Sequence, residues 1–377
     1  MKRTTFAKTA VTEEENQMNE QLHMLKRLTD ATGVPGNEKE VRDIMREYLE
    51  PHADRFHQDG LGSLFAEHQG AGEDAPRVMI AGHLDEVGFM VTKIDDKGFL
   101  RFQPLGGWWG QVLLAQRMNI VTSSGEVIPG VIGAKPPHVL PPEARNKPVD
   151  IKDMFVDIGA SSKEEVASWG IRPGDTVVPH CEFTVMKNEN FLMAKAWDNR
   201  VGCAIAIEAL KRLKADGHPN TILSGATVQE EVGVRGAQTS ANMLKPTIAF
   251  AVDTGIPGDT PGMTDREALS KLGEGVQVIM FDARMIAHRG LIDFVTKVAD
   301  EENIKYQLDL TPGGGTDAAS FHLSNHGVPS LALTVPIRYL HTNVSIMHKA
   351  DFEAAVDLVV AVTKRLDAET VQKIYEG

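Results

Sequence analysis

A chain of 377 residues with 42% apolar residues is long enough for one or two packed domains and too apolar to stay unfolded. Its 39 Lys and Arg against 52 Asp and Glu give a net charge of −13 with no basic run, which argues against nucleic acid and against an anionic membrane as partners. Cys181 and Cys203 are too few for a disulfide framework or a thiolate zinc site, so the carboxylates and the 13 His are the ligand stock and a reducing compartment is expected.

The first residues, MKRTTFAKTAVTEEENQ, are basic at the start but lead into no apolar segment of the kind a secretion signal needs. Nowhere do 18 apolar residues follow one another, so no span of a bilayer is expected and the chain reads as cytoplasmic. Met18, Leu22, Leu25 and Leu28 recur at helical spacing up to Gly33-Val34-Pro35-Gly36, which ends a first helix. A second amphipathic pattern, Val41, Ile44, Met45, Tyr48 and Leu49, stops at Pro51. Val78–Ala81 is a short continuous apolar run, as a strand covered on both faces requires.

From about Val87 to Phe183 the chain changes to short β-branched and aromatic runs (88–94, 116–122, 127–132, 176–178) broken by Gly and Pro. Beyond about Lys187 helices and strands alternate: a helix over 201–213, strands over 222–228 and 248–252, a helix over 291–301, a strand over 331–335, and a last helix carrying Phe352, Ala355, Val356, Val359 and Val360. Such alternation predicts an α/β fold with a mixed, mostly parallel sheet flanked by helices. The start of the chain has the same character. The predicted division is therefore a discontinuous α/β domain, 1–86 plus 183–377, with a small β-rich domain inserted over 87–182.

Four of the expected core strands end in metal-ligand residue types. They run into His83-Leu84-Asp85, into Glu230-Glu231, into Asp253 and, six residues on, to His341. In open α/β sheets ligands bind outside the carboxyl ends of the strands, so residues far apart in sequence can share one crevice. Asp198 opens the helix through Val201, where a carboxylate also suits an N-cap. Taken singly, each has an ordinary explanation: a loop histidine, a cap, a solvated glutamate pair, a turn aspartate. Together, two imidazoles and three carboxylates supply a nitrogen and oxygen shell suited to a pair of zinc, cobalt or manganese ions. Gly313-Gly314-Gly315-Thr316-Asp317 lacks the ending of a phosphate loop and reads either as a close-approach wall of a substrate cleft or as a tight turn. No Gly-x-Ser-x-Gly elbow supports serine chemistry, and Cys203 falls inside an apolar helix pattern.

The strings AGHLDEVGFMV, KAWDNRVG, VQEEVGVRGA, FAVDTG, GGGTDA and RYLH, in that order from residue 81 to residue 341, resemble the motifs of the dinuclear-metal aminopeptidases that include the glutamyl aminopeptidases and the tetrahedral TET peptidases. The resemblance covers all but an N-terminal extension of about 15 to 20 residues. It implies a zinc-peptidase-like catalytic domain in which Asp198 bridges two divalent ions, His83 and Asp253 complete one site, and Glu231 and His341 complete the other. It further implies Glu230 as general base, Asp85 as the carboxylate that orients the His83 imidazole, and a cis peptide between Asp198 and Asn199. Pro136-Pro137-His138 also matches a family feature, with its role open. The inserted domain is implied to mediate dimers that assemble into a hollow tetrahedral dodecamer admitting short peptides.

The chemistry follows from the ligand set. Two cations roughly 3.5 to 4 Å apart can lower the pKa of a shared water from 15.7 toward about 7 and stabilise an oxyanion. A glutamate free of the metals can then carry the water proton to the departing amine. Glu230 and Glu231 are expected to divide this work, as successive residues of an extended chain point different ways. Two rival readings are a glycoside hydrolase, which also uses paired carboxylates, and a non-catalytic scaffold that keeps only the fold.

Overall fold

The computed structural model describes residues 13–376 apart from 71, 73, 74 and 265; most of the N-terminal extension lies outside the described residues. The larger unit is built on an 11-stranded mixed sheet. Its middle consists of four mutually parallel strands, in the order Thr221–Thr227, Arg77–His83, Ile248–Gly255 and Ser330–Arg338. These are the strands whose apolar runs are continuous, and all but the ends of each are buried, because helices cover the sheet.

Outside this middle every pairing but one is antiparallel, which corrects the expectation of a mostly parallel sheet. Leu64–His68 and Arg55–Gln58 extend one side. Ser345–His348, Phe191–Ala194 and Thr184–Val185 extend the other. Val276–Asp282 also runs antiparallel to Ser330–Arg338, and Tyr306–Thr311 lies parallel to it at its outer side. These strands are short or carry charged and polar residues on an open face, so no continuous apolar run marked them.

Helix Trp197–Asp216 packs on Arg77–His83 and Ile248–Gly255 and is buried nearly all round. Glycines set how close it comes. A Cβ on Gly82 would stand 2.6 Å from the backbone of Gly202, and one on Gly202 would stand 2.2 Å from the Val252 carbonyl. Helix Glu13–Asp30 and helix Lys39–Leu49, with Val41, Met45 and Leu49 inward, pack on the same helix. Helices Arg289–Glu302 and Lys349–Thr363 answer the remaining expected ones. Helix Ala368–Glu376 follows the one expected to be last, and helix Arg235–Leu244, rich in small and polar residues, also escaped periodicity.

Residues 88–179 hold a closed antiparallel barrel of six strands: Gly88–Ile94, Leu100–Leu105, Phe155–Asp157, Val127–Gly133, Arg117–Val121 and Thr176–Pro179, the last returning to the first. It has its own core, including Phe89, Leu100, Met118, Ile120, Val156 and Val177. Closure pairs every edge, which lets a small β unit stand as an insertion. Among the described residues no helix is long and apolar enough to cross a membrane.

Candidate metal centre

Because the four middle strands are parallel, their carboxyl ends open on one edge of the sheet. His83 is the last residue of its strand and pairs in register with Thr227, three residues before Glu230. Asp253 lies in the third strand, and His341 follows the fourth after a turn. The seven residues singled out above meet here. His83 Nε2 is 3.1 Å from Asp198 Oδ1 and 3.8 Å from Asp253 Oδ1. His341 Nε2 is 3.2 Å from Asp198 Oδ2 and 3.4 Å from Glu231 Oε2. One carboxylate thus turns an oxygen toward each imidazole.

The backbone around Asp198 is not that of a simple helix start. The Asp198-Asn199 peptide is cis, and both residues lie outside helical φ/ψ. The capping expected of Asp198 falls to Asn199, whose Oδ1 accepts the Gly202 N–H at 2.9 Å while its Nδ2 donates to the Val252 carbonyl at 2.9 Å. Asn199 therefore ties the helix to the strand bearing Asp253, and Asp198 is left to face the histidines.

Each imidazole is held by a backbone carbonyl. His83 Nδ1–H donates to the Asp85 carbonyl at 2.9 Å, and His341 Nδ1–H donates to the Gly107 carbonyl, from the segment after the second barrel strand, at 2.9 Å. Both Nε2 atoms thereby face the Asp198 carboxylate and are the nitrogens available to a cation. The Asp85 carboxylate stands 3.5 Å from His83 Nδ1, farther than its own carbonyl. Its oxygens instead accept the N–H groups of Glu230 and Glu231, each at 3.0 Å. The glutamate pair also sits differently from expectation. Gln229 is left-handed, and the chain turns at once, with the Glu230 carbonyl accepting from Gly233 and Val234, so a turn rather than an extended chain separates the two side chains.

The electrostatics describe a site with more anionic groups than it can hold alone. Burial, and then the Asp198 charge, push the Glu231 carboxyl up to about 8. Burial raises Asp253 to about 8 against the pull of His83, and Asp198 adds to the rise. Glu230 is raised well above the carboxylate range, first by burial. Asp198 goes the other way: burial opposes its charge, but the hydrogen bonds with His341 and His83 hold it low. Burial opposes the charge of His341, but its hydrogen bond with Asp198 and the nearby Glu231 charge keep it up at about 9. In addition, Glu231 Oε1 is buried and has no hydrogen-bond partner among the described residues. His83, Asp198 and Asp253 form one group of ligand atoms within 4.8 Å of one another, and Asp198, Glu231 and His341 form another. A donor set of two imidazoles and three carboxylates with an orphaned oxygen fits divalent cations.

The centre opens into a cleft of about 930 Å³. Gly313, Gly314 and Gly315 form part of its wall, along with Trp108, Ile256, Ile279 and Leu310. Asp317, in the same string, was not read as a site residue. It is 2% exposed, accepts a hydrogen bond from Thr227, and among the described residues its Oδ1 has no partner. Burial raises its carboxyl to about 7. Its position after three glycines was the available signal, masked by the turn-like composition around it. Cys203 is fully buried and donates to the His83 carbonyl at 3.2 Å, with burial holding its thiol up at about 12, as suits a core residue.

The profile of the M42 glutamyl aminopeptidases matches residues 62–358. A glutamyl aminopeptidase of Lactococcus lactis subsp. cremoris (strain MG1363) is 37% identical over 93% of this chain and 98% of its own. A lysyl aminopeptidase of Pyrococcus furiosus is 32% identical over 91% and 96%. Among solved structures, a TET aminopeptidase from Thaumarchaeota archaeon SCGC AB-539-E09 superposes with a TM-score of 0.92 at 44% identity, covering 94% of this chain and 99% of that one. The Pyrococcus horikoshii TET1 peptidase, described as assembling into a tetrahedron or a large octahedral shell, gives 0.81 at 34%, covering 92% and 100%. A Thermotoga maritima protein described as an endoglucanase is more distant, at 0.74 and 27% over 93% and 99%. The fold and these matches define a metal-dependent peptidase. The chain belongs to the M42 glutamyl aminopeptidase family, and it is an aminopeptidase, a hydrolase that acts as an exopeptidase.

Proposed function

We propose that this aminopeptidase releases N-terminal residues from short peptides with two divalent ions held by His83 and Asp253 on one side, Glu231 and His341 on the other, and Asp198 between them. The observation that carries this reading is that the two groups of ligand atoms share Asp198. Glu230, 3.9 Å from His83 Nε2, belongs to neither. Zinc, cobalt or manganese bound there would supply an acidified water and a Lewis acid for the scissile carbonyl. Glu230 takes the proton of the attacking water and passes it to the leaving amine. The Asp85 carboxylate holds the glutamate turn, and the Asp85 and Gly107 carbonyls hold the imidazoles. The cleft of about 930 Å³ leaves room for a short chain beside the centre.

The glycosidase reading is weaker, since two-carboxylate sugar chemistry has no use for a pair of imidazoles sharing one aspartate. A scaffold would have no need to retain Glu230 beside a full donor set. Treatment with a chelator should abolish hydrolysis of aminoacyl p-nitroanilides, and added zinc, cobalt or manganese should restore it. Peptide hydrolysis that persists in metal-free protein would overturn the reading. We further assign residues 87–182 as a domain that mediates dimers and the catalytic domain to 1–86 plus 183–377. The resemblance to TET peptidases supports assembly of such dimers into a tetrahedral dodecamer, with the exposed Pro136-Pro137-His138 segment on the inserted domain. Two free cysteines are consistent with a cytoplasmic location.

A further inference from the structure

Three charged side chains next to the proposed ligands in the chain, Glu86, Lys195 and Arg200, are buried and do not line the cleft. We propose that Glu86 is a positioning residue for the metal centre: it grips Lys195 and Arg200 on either side of the Asp198 turn and so fixes the shared carboxylate against His83. The inference rests on the two-ion reading above.

The two segments joined in this way are far apart in the chain. Glu86 follows His83 by three residues, Lys195 precedes Asp198 by three, and Arg200 follows Asp198 by two. Lys195 Nζ donates to both Glu86 oxygens, at 2.7 and 2.9 Å, and Arg200 Nη2 donates to Glu86 Oε1 at 3.1 Å. Among the described residues neither cation pairs with any other carboxylate. One side chain on the His83 segment therefore holds both flanks of the turn that carries Asp198. The cations are held on their far side as well. Lys195 donates to the Ala31 carbonyl at 2.9 Å, and Arg200 donates to those of Leu28, Ala31 and Gly33 at 2.7, 3.0 and 3.2 Å. The Glu86 N–H donates to the same Gly33 carbonyl at 2.8 Å, so the segment that cradles the cations also fixes the backbone of their partner.

The turn needs such a hold. Ala196 has a φ of 54°, in the left-handed region that a Cβ disfavours, and Asp198 and Asn199 lie outside helical φ/ψ. A conformation that local preference does not favour persists only where its surroundings define it. Asn199 ties the turn to the strand bearing Asp253, and Glu86 ties it to the segment bearing His83. Stability alone is a poor account of the cluster, since buried charges lose solvation that apolar packing of the same volume never gives up. What the charges add is direction: each N–H must meet an oxygen, so neither flank can shift without losing a bond. The Asp198 carboxylate belongs to both groups of ligand atoms, so a shift of its turn is felt at both ions.

The test is titration of cobalt into the metal-free full chain, with the visible absorption of the loaded protein and denaturant unfolding of the metal-free form measured alongside. Lys195→Met leaves Glu86 paired with Arg200 and releases only the flank before Asp198. It should weaken cobalt binding about 10- to 100-fold and change the visible bands, which report ligand geometry. Glu86→Gln frees both flanks and should weaken binding at least as much; where that variant does not fold, Lys195→Met decides alone. Arg212→Met, on the same helix, removes a cation that joins Glu353 and Asp357 of helix Lys349–Thr363, and should lower stability while leaving affinity and bands as in wild type. Wild-type affinity and bands in Lys195→Met, or equal weakening by Arg212→Met, overturns the role of Glu86 and leaves the two-ion reading intact. Uptake of fewer than two cobalt ions per wild-type chain overturns both.

Discussion

Glu230 and Glu231 are adjacent in the chain, yet the turn after Gln229 aims only Glu231 at His341. Their chemistry should separate accordingly. Glu230→Gln keeps the size of the side chain and removes its ability to take a proton. It should lower kcat by about 10² to 10⁴ with metal content near that of wild type. Steady-state kinetics beside metal analysis checks both halves, and undiminished turnover would strip Glu230 of the role. Asp85 offers a second residue-scale test. Its two oxygens accept two amides, and asparagine would set an N–H against one of them. Asp85→Asn should therefore weaken binding at the site proposed for Glu231 and His341 by about 10- to 100-fold, read by titrating metal into metal-free protein. Weakening confined to the His83 side would show instead that this carboxylate works through the imidazole.

Elements reach the centre through buried polar joints. Arg200, on helix Trp197–Asp216, is fully buried and donates to the Leu28 and Ala31 carbonyls at 2.7 and 3.0 Å, where helix Glu13–Asp30 ends. Lys195 donates to Glu86 at 2.7 Å and to the Ala31 carbonyl at 2.9 Å. Arg200 also donates to Glu86 at 3.1 Å, so two cations share one glutamate and the carbonyl end of a helix, a favourable place for positive charge. They lock the N-terminal helix to the strand end bearing His83. Asp351, in the first turn of helix Lys349–Thr363, makes a comparable joint, accepting from the Gly273 and Gly275 amides at 2.7 and 2.8 Å. Burial raises its carboxyl to about 6, although both amides pull it down. A folded-state value above the unfolded one means the folded state binds more protons, so this group's contribution to stability falls as pH rises through the interval from 3.8 to about 6. The difference in unfolding free energy between wild type and Asp351→Asn should decline from pH 4 to pH 7, by about 3 kcal/mol at most. Denaturant titrations at several pH values measure it, and a flat difference would count against burial as the cause.

At the scale of the molecule, a closed barrel with its own core is inserted into an α/β unit, and it returns the Gly107 carbonyl to His341 in the other unit. The barrel therefore contributes to orienting His341, one of the proposed ligands, besides any part in assembly. If the proposed dodecamer forms, light scattering on the full chain should give about 490 kDa from copies of 41.1 kDa, and a mass of one or two copies at micromolar concentration would remove it.

The order of elements was legible where burial is two-sided. Val78–Ala81, Ile248–Val252 and Leu331–Val335 are continuous apolar runs because helices cover both faces, and each marks a middle strand. The candidate ligands were legible because they follow those runs. Arg55–Gln58, Tyr306–Thr311 and Phe155–Asp157 left no such trace, being short and open on one face. Sequence alone determined the residue types at the centre and the strands that bring them there. Only the folded chain decided that Asn199 rather than Asp198 caps the helix, that Asp85 grips the glutamate turn more closely than the imidazole, and that Glu86 pairs with the cations on both flanks of Asp198. Each depends on distances between segments tens to hundreds of residues apart or on a local turn, and neither is encoded in the periodicity of any one segment.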